Sequence, residues 1–235
     1  MGKRPPPSLL MVGTVHRDPR GKAKLLRLLQ REKPSAVSVE ISPYARIFRS
    51  QKAAAFRALL RENLGSIHRE DGLAWGQILS HSAIQGIFLL LKEPYEWRAA
   101  MAYMEETGCK VLDIDLSEYS EEKLSHLSEL ISRENLRTLL SFSSSGLDEQ
   151  VKQQYGRARF LFSHPPSVWL DSRELRERES IMAERIRGFV LQGEGEKFAH
   201  VGGWEHLLET NGQNSLYNLL KDLRPRRVLL AHGET

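Results

Sequence analysis

Two kinds of apolar run alternate along this chain, short unbroken ones and longer ones spaced to line one side of a helix. Ser8 to Val15 is a short run bounded by prolines and a charged loop, and it reads as a buried strand. Lys22 to Lys33 carries Leu25, Leu26, Leu28 and Leu29 at amphipathic-helix spacing, and Pro34 ends it. Ala36 to Ile41, with Val37 and Val39, is a second strand, so the opening has the order of a βαβ unit. Ser42 is a cap and Pro43 a first-turn residue for a helix reaching about Leu64. Further helical stretches cover Gly72 to Leu91 and Pro94 to Thr107, the latter stopped by Gly108. Cys109 to Ile114 is a third strand. Ser120 to Ile131, Arg133 to Leu140, Asp148 to Phe162 and Ser172 to Leu191 read as helices. Phe198 to Val201 is a fourth strand, Leu216 to Leu223 a helix and Val228 to Ala231 a fifth strand.

This alternation predicts an α/β fold, a mostly parallel sheet of about five strands covered by helices. Helical insertions at about 43–108 and 117–192 interrupt it and are expected to form a cap over the sheet within one domain spanning residues 1–235. With 40% hydrophobic residues in 235, the chain can build a real core. The formal net charge is only +4, with signs interspersed as in Arg17-Asp18 and Arg61-Glu62, and no basic tract marks a nucleic-acid face. The single cysteine, Cys109, excludes an internal disulfide and reads as a buried strand residue. The apolar run after Pro5-Pro6-Pro7 is too short for a signal peptide. Ile87 to Leu91 falls far below the ~20 residues needed to span a bilayer, so a cytoplasmic protein is expected.

Ligands of open α/β sheets lie beyond the carboxyl ends of the strands. There the first strand delivers His16, the second Glu40, the third Asp113 and Asp115, the fourth Gly203-Trp204-Glu205-His206, and the fifth His232 and Glu234. Buried strand interiors do not tolerate such residues unpaired. Imidazole and carboxylate are ligands for a divalent ion such as Zn, Mn or Co, so His16, Glu40 and His206 are the candidate metal-binding and catalytic set. An ion held there would make water nucleophilic at neutral pH. Gly13 and Gly203, three positions before each histidine, allow a tight turn and a close substrate approach. A third Gly-x-x-His, Gly65 to His68, follows no strand and is expected to lie in a link between helices, away from the site. Arg46, Arg178, Asp115 and Trp204 are the candidate substrate-binding residues. Arg185 reads as part of a solvated helix face, His200 as a core histidine, and His232 and Glu234 as supporting residues. Trp75, Trp97 and Trp169 line a pocket or pack.

Val12-Gly13-Thr14-Val15-His16, then Val39-Glu40 and Arg46, resembles the opening signature of the TraB/PrgY family. That family is related to the Tiki metalloproteases and, more distantly, to the ChaN and erythromycin-esterase-like proteins. The resemblance continues through Glu96, Gly108, Asp115 and Arg178-Glu179-Ser180-Ile181-Met182-Ala183 to Gly203-Trp204-Glu205-His206. It implies a metal-dependent hydrolase site formed by the two Gly-x-x-His motifs and a glutamate, here His16, His206 and Glu40. Two departures touch the substrate more than the fold: Leu116 stands where the family usually has arginine, and Arg178-Glu179 where it has Arg-Asp.

The expected function is therefore a metal-dependent hydrolase, a peptidase acting on short peptides, with Glu40 as ligand or general base. The alternative is a non-catalytic protein that sequesters a peptide, a signal molecule or haem, with Tyr44 or His206 available as axial ligand. A third reading, an esterase using His16 as base without metal, lacks any Gly-x-Ser-x-Gly elbow. The substrate is expected to be a small molecule or peptide.

Overall fold

The computed structural model describes residues 8–167, 172–193, 196–210 and 215–230. Five strands form it: β1 (Ser8–Thr14), β2 (Ala36–Val39), β3 (Lys110–Asp113), β4 (Lys197–Gly203) and β5 (Arg226–Leu229). They make one all-parallel sheet in the order β3-β2-β4-β1-β5, the α/β fold expected. Between β1 and β2 runs α1 (Gly21–Glu32). Between β2 and β3 run α2 (Pro43–Asp71), α3 (Trp75–Ser80), α4 (Ser82–Leu90) and α5 (Tyr95–Thr107). Between β3 and β4 lie α6 (Ser117–Ser125), α7 (Leu127–Leu130), α8 (Arg133–Ser141), α9 (Leu147–Ser163) and α10 (Arg173–Gln192), and α11 (Leu216–Leu219) precedes β5. Short 3₁₀ turns cover Trp204–Leu207 and Lys221–Leu223.

The helix boundaries follow local chemistry. Ser42 caps α2 by accepting the Ala45 N–H at 3.0 Å, with Pro43 in the first turn. Gly108, at φ 73°, ends α5 in the left-handed conformation that glycine adopts without strain. Two expectations need correction. The helix α2 does not stop near Leu64 but continues to Asp71, because Leu64 and Ile67 prolong its buried face. Gly65 and His68 therefore lie inside a helix, not in a link. The stretch Gly72 to Leu91 is also not one helix: His81 is extended, and its ring accepts the Ala83 N–H to start α4.

Strand side chains alternate between two cores. Leu10, Val12, Val37, Val39, Ala199 and Val201 pack under α1, α2 and α5, and buried residues of α3, α4 and α6 to α8 belong to the same cluster. Leu9, Met11 and Phe198 face α10 and α11. The helices between β2 and β3 thus share one core with a face of the sheet. No described helix is long and apolar enough to cross a membrane. Trp169, Ala231, His232 and Glu234 lie outside the described residues.

Candidate active site

Strand order brings the candidate residues together. β4 lies between β2 and β1, with Val39 opposite Val201 and Thr14 opposite Gly203. Glu40 follows β2, His16 follows β1 by one residue, and the turn after β4 delivers His206, so all three meet at one carboxyl edge. His206 Nε2 lies 2.9 Å from Glu40 Oε1, and His16 Nε2 lies 3.8 Å from Glu40 Oε2. The gap is only wide enough because residues 202 and 203 are glycines. A Cβ on Gly202 would stand 2.9 Å from His200 Nε2 and 3.0 Å from Glu40 Oε2, and one on Gly203 would stand 2.9 Å from His16 Nε2.

Each histidine is held from behind by a carboxylate. His16 Nδ1 lies 3.0 Å from Glu96 Oε1, which Thr14 Oγ1 also approaches at 2.9 Å. His206 Nδ1 lies 2.8 Å from Glu179 Oε1. A carboxylate only accepts, so it fixes the proton on Nδ1 and turns Nε2 toward Glu40. Such carboxylate–histidine pairs are the usual support of metal-binding imidazoles. Glu40 is oriented in turn by the Gly203 N–H at 2.7 Å and by Arg178 Nη2 at 3.1 Å. Arg178 also grips Asp115 with two bonds, Nε at 2.9 Å and Nη2 at 2.8 Å. The loop bearing His16 is pinned below: buried Asp18 accepts Lys24 Nζ at 2.7 Å and the Arg20 N–H at 2.9 Å, and Tyr95 donates to the Val15 carbonyl.

Electrostatics follow from this packing. Burial disfavours a charge on His206, but Glu40 and Glu179 outweigh it and raise the imidazole to about 10. His16 is likewise opposed by burial and raised to about 9, chiefly by its bond to Glu96. Its side chain is 53% exposed, so solvent screens it more than His206. Burial alone would raise Glu40, but His206, His16 and Arg178 hold it well below the usual carboxylate range. His200, fully buried with Ser38 Oγ at 3.0 Å from Nδ1, is pushed down to about 4 by desolvation. It is the core histidine expected.

Four buried carboxylates, Glu40, Glu96, Asp115 and Glu179, thus face one guanidinium, Arg178, and two imidazoles. Protons on both imidazoles, or a dication in their place, reduce this excess of negative charge to one. Among the described residues no three or more His, Cys, Asp or Glu side chains stand in a metal-holding arrangement, since His206 closes directly on Glu40 as an ion pair. The donor set nevertheless fits a divalent ion. Nitrogen and oxygen donors converge, both imidazoles are oriented from behind, and a dication can replace two protons without changing the charge. Buried Glu96 Oε2, beside His16, also has no hydrogen-bond partner among the described residues.

Two cavities flank the histidines. The larger, about 590 Å³, opens over His16, Glu40, Glu96, Asp115 and Arg178 and extends between α2 and α4. The smaller, about 370 Å³, is lined by Trp204, His206, Gln150 and Gln154 and shares His16 and Arg17 with the first.

The other predicted residues fall variously. Trp204 is buried and lines the smaller cavity. Asp115 and Arg178 reach the site but are committed to each other. Arg46 bonds Asp113 at 2.8 Å, lies over Trp97 and lines neither cavity. Arg185 is not simply solvated: Nη1 caps the carbonyls of Ile114 and Asp115. His68 bonds the Leu73 carbonyl at 2.7 Å and packs on Trp75, away from both cavities. Glu96 and Glu179 gained no role from the sequence, although each interrupts the apolar side of its helix. Compared with family models, curated proteins and solved structures, the chain matches none.

Proposed function

We propose that this chain is a metal-dependent hydrolase of the TraB/PrgY kind, acting on short peptides, with a divalent ion (Zn, Mn or Co) held by His16, Glu40 and His206. The observation that carries the reading is the convergence of two imidazole Nε2 atoms on Glu40, each ring backed by its own buried carboxylate. The ion, when bound, supplies Lewis acidity for attack of water on an acyl carbon. Glu96 and Glu179 fix the ring tautomers, while Arg178 and the Gly203 N–H hold the Glu40 carboxylate in place. Glu40 acts as ligand and charge partner, its carboxylate pinned toward both imidazoles by Arg178 and the Gly203 N–H. Asp115 acts through Arg178, and Trp204 walls the side of the smaller cavity.

One observation favours a second reading. His16, bonded to Glu96 and half exposed, also has the form of a metal-free general base for an esterase working on the alkaline side, where an imidazole raised to about 9 gives up its proton. Elemental analysis of the protein purified without added metal, with peptide-library and ester-panel assays before and after chelation, separates the two. Turnover lost with chelator and restored by one metal supports the hydrolase proposed. Chelator-insensitive turnover that His16→Ala abolishes supports the esterase. Absence of any turnover, with capture of a peptide or haem, would replace both with a binding protein.

A further inference from the structure

We infer that the larger cavity binds a molecule with an aliphatic chain ending in a carboxylate. This deepens the proposed function by naming the substrate class, and it rests on that reading only in calling the ligand a substrate. The cavity between α2 and α4 has an apolar wall that includes Ala45, Ile87, Leu90 and Leu139. Around it stand three cations without a carboxylate in hydrogen-bond contact among the described residues. Arg17 lies against α4, where a Cβ on Gly86 would come within 2.9 Å of its Nη1. Among the described residues Arg49 donates only to backbone, to the Leu90 and Ala45 carbonyls at 3.1 Å each, and forms no ion pair, Glu93 acting on it through its charge alone. Lys92 completes the set. Arg17 and Lys92 make no ion pair with the described residues.

Each carboxylate that lines the same cavity has a cation or donor of its own, Glu96 through Oε1 alone. Glu40 and Asp115 belong to Arg178, and Glu96 to Thr14 and His16. A fourth cation of the lining, Lys123, is held by Glu174. What remains is an apolar slot whose rim carries three cations outside any ion pair with the described residues, which favours an anion with a hydrophobic body over a neutral or cationic one. Each methylene buried against the wall should strengthen binding about fourfold.

Two sources share this chemistry, a free fatty acid and a short peptide with aliphatic residues at a free carboxyl terminus. Isothermal titration of the full metal-free chain with hexanoate, octanoate, octanol and octyltrimethylammonium reads the class. Leu-Leu-Val with a free or an amidated terminus reads the source. Octanoate should bind at least ten times tighter than octanol, the cationic amphiphile should not bind, and affinity should rise from hexanoate to octanoate. Tighter binding of the free-acid peptide than of octanoate assigns the peptide source, and the reverse assigns the fatty acid. The double variant Arg17→Gln/Lys92→Gln, two exposed changes, should weaken octanoate at least tenfold and leave octanol unchanged, and Leu90→Asn should weaken both. Equal binding of octanoate and octanol, no binding of either, or octanoate binding untouched by the double variant overturns the inference. Loss of carboxylate selectivity with hydrolysis intact would remove this inference alone. Carboxylate binding with no hydrolysis of any substrate would remove the proposed function alone.

Discussion

Arg178 is the residue whose removal the geometry makes most costly. Its guanidinium is only 15% exposed and makes three bonds, two to Asp115 and one to Glu40, whose side chains are 10% and 8% exposed. Arg178→Met keeps much of the apolar volume but strands two buried carboxylates. Glu40 would retain His206 and the Gly203 N–H, whereas Asp115 would keep only the Leu116 N–H at 2.8 Å. Breaking one side of a buried ion pair costs about 3–5 kcal/mol. For a chain of this size that lowers the melting temperature by roughly 10 °C. Thermal unfolding of the metal-free protein at pH 7 measures it. Asn at position 115 removes the stranded charge yet still accepts the Leu116 N–H. Asp115→Asn in the Arg178→Met background should therefore recover at least about 1 kcal/mol, the coupling expected of residues in one network. The difference between parent and Arg178→Met should also shrink toward pH 4, where carboxyls begin to take up protons. A variant that melts within about 2 °C of the parent, or a double variant with simply additive losses, would refute the reasoning.

Three further outcomes follow from the same site. His206→Ala should weaken divalent-metal binding at least about tenfold, while His68→Ala, half-buried in the α2–α3 packing, should leave it nearly unchanged. Calorimetry with Zn²⁺, on variants whose circular dichroism matches the parent, decides it, and the opposite pattern would dismiss the sheet-edge site. With His16 raised to about 9 and His206 to about 10, metal uptake must displace both protons, so affinity should climb on the order of 100-fold per pH unit between pH 6.5 and 8.5. An affinity flat over that range would show that the imidazoles do not ligate. The metal-free protein should lose stability on the alkaline side. A histidine raised from 6.5 to about 10 contributes fully below 6.5 and loses its contribution as pH rises to 10, while depressed Glu40 contributes above its ordinary 4.5 and fails only on acidification. Melting temperatures at pH 7 and pH 10 should differ less in Glu179→Gln than in the parent, and an unchanged difference would contradict the His206 ion pairs.

The sequence by itself determined the layered α/β fold and the edge at which chemistry gathers. Strand and helix periods are local, and a buried strand holds His or Glu in its interior only with a partner, as β4 holds His200 beside Ser38, so His16, Glu40 and His206 were legible at the strand ends. Local pattern could not say which strands are neighbours. Hydrogen bonding across β2, β4 and β1 decided that, placing Glu40 between the two histidines with glycines opposite. Pattern also misjudged Gly65 to His68, because a single glycine does not end a helix whose buried face continues through Leu64 and Ile67. The supporting carboxylates left a fainter trace. Glu96 shares a helix face with Ala99, Ala100 and Tyr103, and Glu179 with Met182, Ala183 and Ile186. A carboxylate on an apolar face demands a buried partner, but only the tertiary structure could name it. Glu96 lies 80 residues from His16 in sequence, and Glu179 lies 27 from His206. The commitment of Arg178 to Asp115 and Glu40 was equally hidden, since a guanidinium free to meet substrate and one locked in an ion pair look alike until packing brings their partners within reach.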